Sequence, residues 1–224
     1  MFQQILILVG VAVSGEKKNE KDGGRHLLEG EGTGGPAADR HFAGDEDEAG
    51  AHAGAGAEVG GVRLPGHLEP LHYKLELVPF IHPGNFTIRG RVEIEVLCRR
   101  AAANITLHAA DLTINNDTVA VYHGRRKSLK NLVSGVEHDA AREFLILRTE
   151  QLAPDTPYLV RIEYTAYLKD NLRGFYRSVY HDVETNTTEY IAVTQFQAAD
   201  ARRAFPCFDE PGLKATYEVC LCIS

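Results

Sequence analysis

From Val62 onward the chain alternates apolar and polar residues in short runs with a period of two. Tyr73-Lys74-Leu75-Glu76-Leu77-Val78 does so, and Ile88-Arg89-Gly90-Arg91-Val92-Glu93-Ile94-Glu95-Val96 does so more cleanly. Successive side chains of a strand leave opposite faces. Val92, Ile94 and Val96 therefore line one face, while Arg91, Glu93 and Glu95 face water. A helix would scatter these residues around its circumference. The series continues through Asn104–His108, Val119–Tyr122, Glu143–Arg148, Tyr158–Tyr164, Thr188–Thr194 and Ala215–Ile223. Turn-forming residues separate the runs, among them Pro83-Gly84-Asn85, Asn115-Asn116-Asp117 and Pro154-Asp155-Thr156-Pro157. Many short strands, polar turns and no long amphipathic helix predict an all-β domain over residues 62–224, an antiparallel sandwich or saddle.

Residues 16–61 have another character. Gly, Ala, Glu, Asp and Lys dominate, as in Gly30-Glu31-Gly32-Thr33-Gly34-Gly35-Pro36 and Asp45-Glu46-Asp47-Glu48. So few large apolar side chains cannot offset the entropy of ordering a chain, and a disordered linker is expected. Before it, residues 1–15 hold an apolar run from Ile5 to Val13, followed by Ser14-Gly15. The run is too short to span a bilayer as a helix, which needs about 20 residues. It fits the apolar part of a cleaved secretory signal, although no Lys or Arg precedes it. The alternative is an apolar amino terminus with no targeting role.

Four sequons favour export: Asn85-Phe86-Thr87, Asn104-Ile105-Thr106, Asn116-Asp117-Thr118 and Asn186-Thr187-Thr188. Each predicts a glycan on an exposed loop or strand edge, and the expected location is secreted or on the outer face of the plasma membrane. The formal net charge of -7 argues against a nucleic-acid partner. Four cysteines, Cys98, Cys207, Cys220 and Cys222, are read most simply as free, buried thiols. Cys220 and Cys222 share one face of a strand, and joining them to each other would strain the bridge.

The run Thr194-Gln195-Phe196-Gln197-Ala198-Ala199-Asp200-Ala201-Arg202-Arg203-Ala204-Phe205-Pro206-Cys207-Phe208-Asp209-Glu210-Pro211 closely resembles a signature of zinc aminopeptidases of the aminopeptidase N type. Arg63-Leu64-Pro65 with Leu71-His72-Tyr73, then Phe86–Gly90, then Leu172-Arg173-Gly174-Phe175-Tyr176-Arg177-Ser178 resemble further segments of that family in the same order. The resemblance implies a β-saddle that packs on a thermolysin-like catalytic domain, in an enzyme that removes single residues from the free amino end of peptides. It also allows a homodimer of the whole enzyme. In that family the zinc sits on an H-E-x-x-H helix, with a Gly-Ala-Met-Glu-Asn loop beside it. Neither element occurs among these residues, and no His-Glu-x-x-His spacing exists among the ten histidines. This chain is thus expected to bind no catalytic zinc, to carry no catalytic residue and to be inactive alone, a β-domain truncated at its carboxyl end. His181-Asp182 and Glu137-His138 are expected to be isolated and exposed.

An ammonium group offers three donors and no acceptor, so a site that greets a peptide's amino end needs oxygen acceptors. By the resemblance that role falls on Gln197, with Gln195 bordering the first specificity pocket. Taken by itself, Thr-Gln-Phe-Gln reads equally well as a strand end whose amides satisfy the backbone. Phe205–Phe208 is expected to pack at a domain seam, and Arg202 or Arg203 to pin the Asp209-Glu210-Pro211 turn. Two other readings stand beside the enzyme fragment: a secreted, non-catalytic β-sandwich acting as a binding module or decoy, and a non-peptidase relative such as a transcription-factor subunit. The sequons and leader disfavour the latter.

Overall fold

The computed structural model describes residues 8–11, 63–125 and 130–222. The linker expected over 16–61 lies outside them, and of the expected leader only Leu8–Val11 lies within. The described strands are β1 (Leu8–Val11), β2 (Leu68–Pro79), β3 (Thr87–Cys98), β4 (Ala102–His108), β5 (Leu112–Ile114), β6 (Ala120–His123), β7 (Val133–Asp139), β8 (Phe144–Leu152), β9 (Thr156–Tyr167), β10 (Gly174–Asp182), β11 (Thr187–Gln195) and β12 (Thr216–Leu221). Single 3-10 turns occupy Asn116–Thr118 and Ala201–Arg203, and no described residue is α-helical. The all-β expectation holds.

The strands form a six-stranded sheet and two three-stranded sheets. The large one runs β12-β2-β3-β9, with β5 and β6 sharing the far edge of β9. The others run β4-β8-β7 and β1-β11-β10. Every pairing is antiparallel except β12 on β2, which is parallel. That exception follows from the connection: β12 reaches β2 after a long excursion through the rest of the fold rather than by a hairpin.

On β3, Ile88, Val92, Ile94, Val96 and Cys98 are completely buried, as the alternation predicts. Gly90 interrupts the apolar series because Tyr164 lies directly opposite on β9. A Cβ there would sit 2.1 Å from the tyrosine ring, so the ring itself fills the missing side chain's place. β2 hides its alternation with a bulge between Pro70 and His72. Leu68 and Pro70 are buried before it and Tyr73, Leu75 and Leu77 after it, so the extra residue reverses the parity. These side chains join Ile105, Leu107, Leu145 and Leu147 of the β4-β8-β7 sheet in one core. Burying each large apolar side chain stabilises by about 1.5–3 kcal/mol.

The outer face of the large sheet is ordered by charge. One cross-strand row reads Glu218, Lys74, Glu93, Arg161 and the next reads Cys220, Glu76, Arg91, Glu163. Lys74 lies 3.4 Å from Glu218, and Arg91 lies 2.7 Å from Glu93 and 3.7 Å from Glu76. Opposite charges face one another in this register, and a slip would lose those pairings while exposing the apolar face.

Three expectations change. Phe205–Phe208 does not wait at a seam but lies in the chain's own core. Its backbone is paired there: Cys207 and His108 exchange N–H···O bonds of 2.8 and 3.1 Å, and the Phe208 N–H donates to the Tyr73 hydroxyl at 3.0 Å. Cys98 and Cys207 are buried thiols as expected, whereas Cys220 and Cys222 are exposed, because Cys220 stands on the outer face of β12 and Cys222 lies just beyond its end. Strands β5, β7 and β10 have no counterpart in the periodicity.

Candidate functional site

β11 carries the signature's first residues. Thr194 is buried, Gln195 is half-buried and makes the last ladder pair, with Gly174 of β10. Phe196 leaves the ladder and packs inward, its ring edge-on to Phe205 at 5.9 Å. Gln197 then stands exposed at the start of a turn closed by the Asp200 N–H donating to the Phe196 carbonyl at 3.0 Å. The Gln197–Ala198 peptide is cis. Anchoring Phe196 in the core fixes the turn while leaving the Gln197 amide to solvent. The two glutamines differ in setting, one held in the sheet and one beyond it.

Gly174 supports this corner from β10. Its φ is +65°, a conformation L residues avoid, and a Cβ there would lie 2.6 Å from Cβ of Arg203 and 3.2 Å from the Asp200 carbonyl oxygen. Only glycine lets the start of β10 touch the 3-10 turn that follows Gln197. The fold thereby joins two of the segments that carry the family resemblance, Leu172–Ser178 and Thr194–Pro211.

An ion network holds the turn from below. The Arg203 guanidinium reaches Asp200 at 3.0 Å, Glu143 at 2.9 Å and Asp111 at 2.5 Å. Arg202 reaches Glu143 at 3.1 Å and Asp209 at 3.0 Å. Of the two arginines considered for pinning the Asp209 turn, Arg202 does so, while Arg203 serves the Gln197 side. Lys169 adds a 2.8 Å contact to Asp111. Burial would raise the Asp111 pKa, but hydrogen bonds from Lys169 and Arg203 outweigh it and hold the carboxyl below its usual range. Burial likewise opposes the charge on Arg203, yet Asp200 and Asp111 raise its pKa further. The carboxylates around the turn are thus committed to arginine. Asp111 and Glu143 both have positive φ, 58° and 57°. Nothing in the sequence marks them as partners of Arg203.

Cys207 lies buried in the core, out of reach of a substrate. Burial pushes its thiol well up, with Asp209 adding to the effect. His138 and His181 are exposed on β7 and β10, and Glu137 beside His138 pairs with Arg148 at 2.8 Å. Among the described residues no group of three or more His, Cys, Asp or Glu could hold a metal. Among the described residues the donor set of a catalytic zinc is not assembled. Of the sequons, Asn116 and Asn186 are exposed, in a 3-10 turn and in the β10–β11 hairpin. Asn85 and Asn104 are half-buried, and each side-chain oxygen accepts a hydrogen bond from its own sequon threonine, at 2.7 Å from Thr87 and 3.4 Å from Thr106.

The peptidase M1 N-terminal domain family matches residues 69–223. The chain belongs to that family. Its matched residues include every strand of the domain but β1, together with the Gln195–Gln197 corner. Thyrotropin-releasing hormone-degrading ectoenzyme of Mus musculus is 35% identical over 158 residues, 70% of this chain and 14% of that protein. Aminopeptidase N of Oryctolagus cuniculus is 36% identical over 163 residues, covering 70% and 17%. Endoplasmic reticulum aminopeptidase 2 of Homo sapiens is 39% identical over 166 residues, covering 70% and 16%. The chain therefore spans less than a fifth of the length of these relatives.

Proposed function

We propose that this chain is the amino-terminal domain of an exported zinc aminopeptidase, and that it lends the amide oxygen of Gln197 to the ammonium group of a peptide's amino end. Gln195 borders the pocket for the first side chain. The observation that carries this reading is the exposed Gln197 at the start of a turn anchored by Phe196, Gly174 and Arg203. The family and the names of the relatives supply the reaction: removal of residues from the amino end of peptides. Zinc belongs to a catalytic domain joined to this one in the same polypeptide, and when bound it supplies an activated water. The residues of this chain do something else, which is to orient the substrate's charged end. The whole enzyme is open to homodimerisation.

Export is part of the proposal. One relative is named an ectoenzyme and another is named for the endoplasmic reticulum. Both names suit a chain with a leader and glycans at Asn85, Asn104, Asn116 and Asn186. Among the described residues no helix is long and apolar enough to cross a membrane. A secreted chain whose mass lacks the leader, and with it β1, so that β11 and β10 remain as a pair, and whose mass falls on glycosidase treatment is the expected product.

The test joins this chain to the catalytic domain of a family member and follows release of amino-terminal residues. The isolated chain should release none. A hydrogen bond to a charged group contributes about 1.5–3 kcal/mol, so Q197A in the joined protein should lower kcat/KM about 10- to 150-fold. Q197E should tighten binding, since charge-assisted bonds are about twice as strong as neutral ones. Unchanged kinetics in both variants would remove Gln197 from the site. A joined protein that stays inactive would return the chain to the binding-module reading.

A further inference from the structure

Cys220, on the outer face of β12, and Cys222, just beyond its end, are both exposed, with their sulfur atoms 3.9 Å apart. The remaining two thiols of the chain, Cys98 and Cys207, are buried. The end of β12 therefore presents the chain's accessible dithiol. Thiolates select soft cations. In a tetrahedral site, two zinc–sulfur bonds of about 2.3 Å hold their sulfurs roughly 3.8 Å apart. The pair already has that spacing, with no strand movement required.

The charge rows show what surrounds the pair. The row Glu163, Arg91, Glu76 alternates in sign and then ends on Cys220. In the neighbouring row Lys74 faces Glu218 and completes its alternation. The half-exposed Glu76 carboxylate beside Cys220 would attract an incoming cation, and the bound unit of two thiolates and one divalent ion is itself neutral.

We propose that Cys220 and Cys222 form a two-thiolate chelation site for a soft divalent cation of the zinc and cadmium class. Binding forms two metal–sulfur bonds and releases the two thiol protons to solvent, with no change in oxidation state. Protein supplies two ligands rather than the three or four of a catalytic or structural centre, so the site is open and exchangeable. It takes no part in the aminopeptidase reading, and neither proposal depends on the other.

The experiment titrates the whole 224-residue chain with Cd2+ and follows the ultraviolet thiolate-to-cadmium charge-transfer band. One ion per chain is expected. C220S and C222S should each abolish the band while leaving the near-ultraviolet circular dichroism unchanged, since both side chains are exposed. Losing one arm of a chelate should weaken binding about 100-fold or more. Absence of the band in the unsubstituted chain overturns the proposal. So does a band that survives either serine substitution, or one that appears only as the chain doubles in mass on gel filtration.

Discussion

Gly174 is where one atom has the largest consequence. A left-handed backbone costs an L residue about 1–2 kcal/mol. The added methyl would also lie 2.6 Å from Cβ of Arg203, which belongs to a packed turn rather than a free side-chain end. Gly174→Ala should therefore destabilise by at least about 2 kcal/mol, lowering the thermal midpoint by roughly 4–8 °C, as read by calorimetry. Gly84 is the control. Its φ is +89° but nothing lies within 4 Å of an added Cβ, so alanine there should bear the backbone cost alone. Equal losses at the two glycines would mean that the contact with Arg203 contributes nothing.

At the scale of the element, two buried tyrosines make opposite predictions. The Tyr73 hydroxyl on β2 accepts the Phe208 N–H at 3.0 Å and so ties the signature segment to the large sheet. Tyr73→Phe keeps the stack on Tyr217 but strands a buried backbone donor, which should cost about 1–3 kcal/mol in denaturant unfolding. The Tyr164 hydroxyl on β9 is buried without a hydrogen-bond partner among the described residues. Tyr164→Phe keeps the ring over Gly90 and removes only the unpaired group, so stability should hold or rise. A larger loss at Tyr164 than at Tyr73 would contradict these assignments. Elements also explain what the sequence could reveal. β3 was legible because one of its faces is wholly buried and the other carries charge. β7 is not, since Val133, Val136, Glu137 and His138 are only half-buried or exposed and no face is consistently apolar. β10 places exposed Val179 and Tyr180 beside half-buried Tyr176 and Arg177, which masks its period. The Gln195–Gln197 corner was legible only through family resemblance. Its supports were not, since Asp111 and Glu143 lie 92 and 60 residues from Arg203 and meet it only after folding.

Across the whole molecule, that meeting adds an ionic tie to the apolar core the sheets share. Asp111 follows β4, Glu143 precedes β8, and Asp200 follows β11, so the single guanidinium of Arg203 draws both three-stranded sheets to the signature turn. Breaking a buried ion pair by removing one partner costs about 3–5 kcal/mol, and partial exposure of this network reduces that to roughly 1–3 kcal/mol for Arg203→Met. The pH dependence identifies the cause. Asp111 has its pKa lowered in the folded state, so its contribution is present above the unfolded value of about 3.9 and disappears as pH falls toward the folded one. Acid should therefore destabilise the unsubstituted chain through that interval, and Arg203→Met should flatten the same part of the curve because Asp111 then keeps only Lys169. Two parallel stability curves, offset but equal in slope below pH 4, would show that Arg203 acts through packing alone. If the slopes diverge, the turn that presents Gln197 is held by charge, and acid should loosen that corner before it unfolds the core.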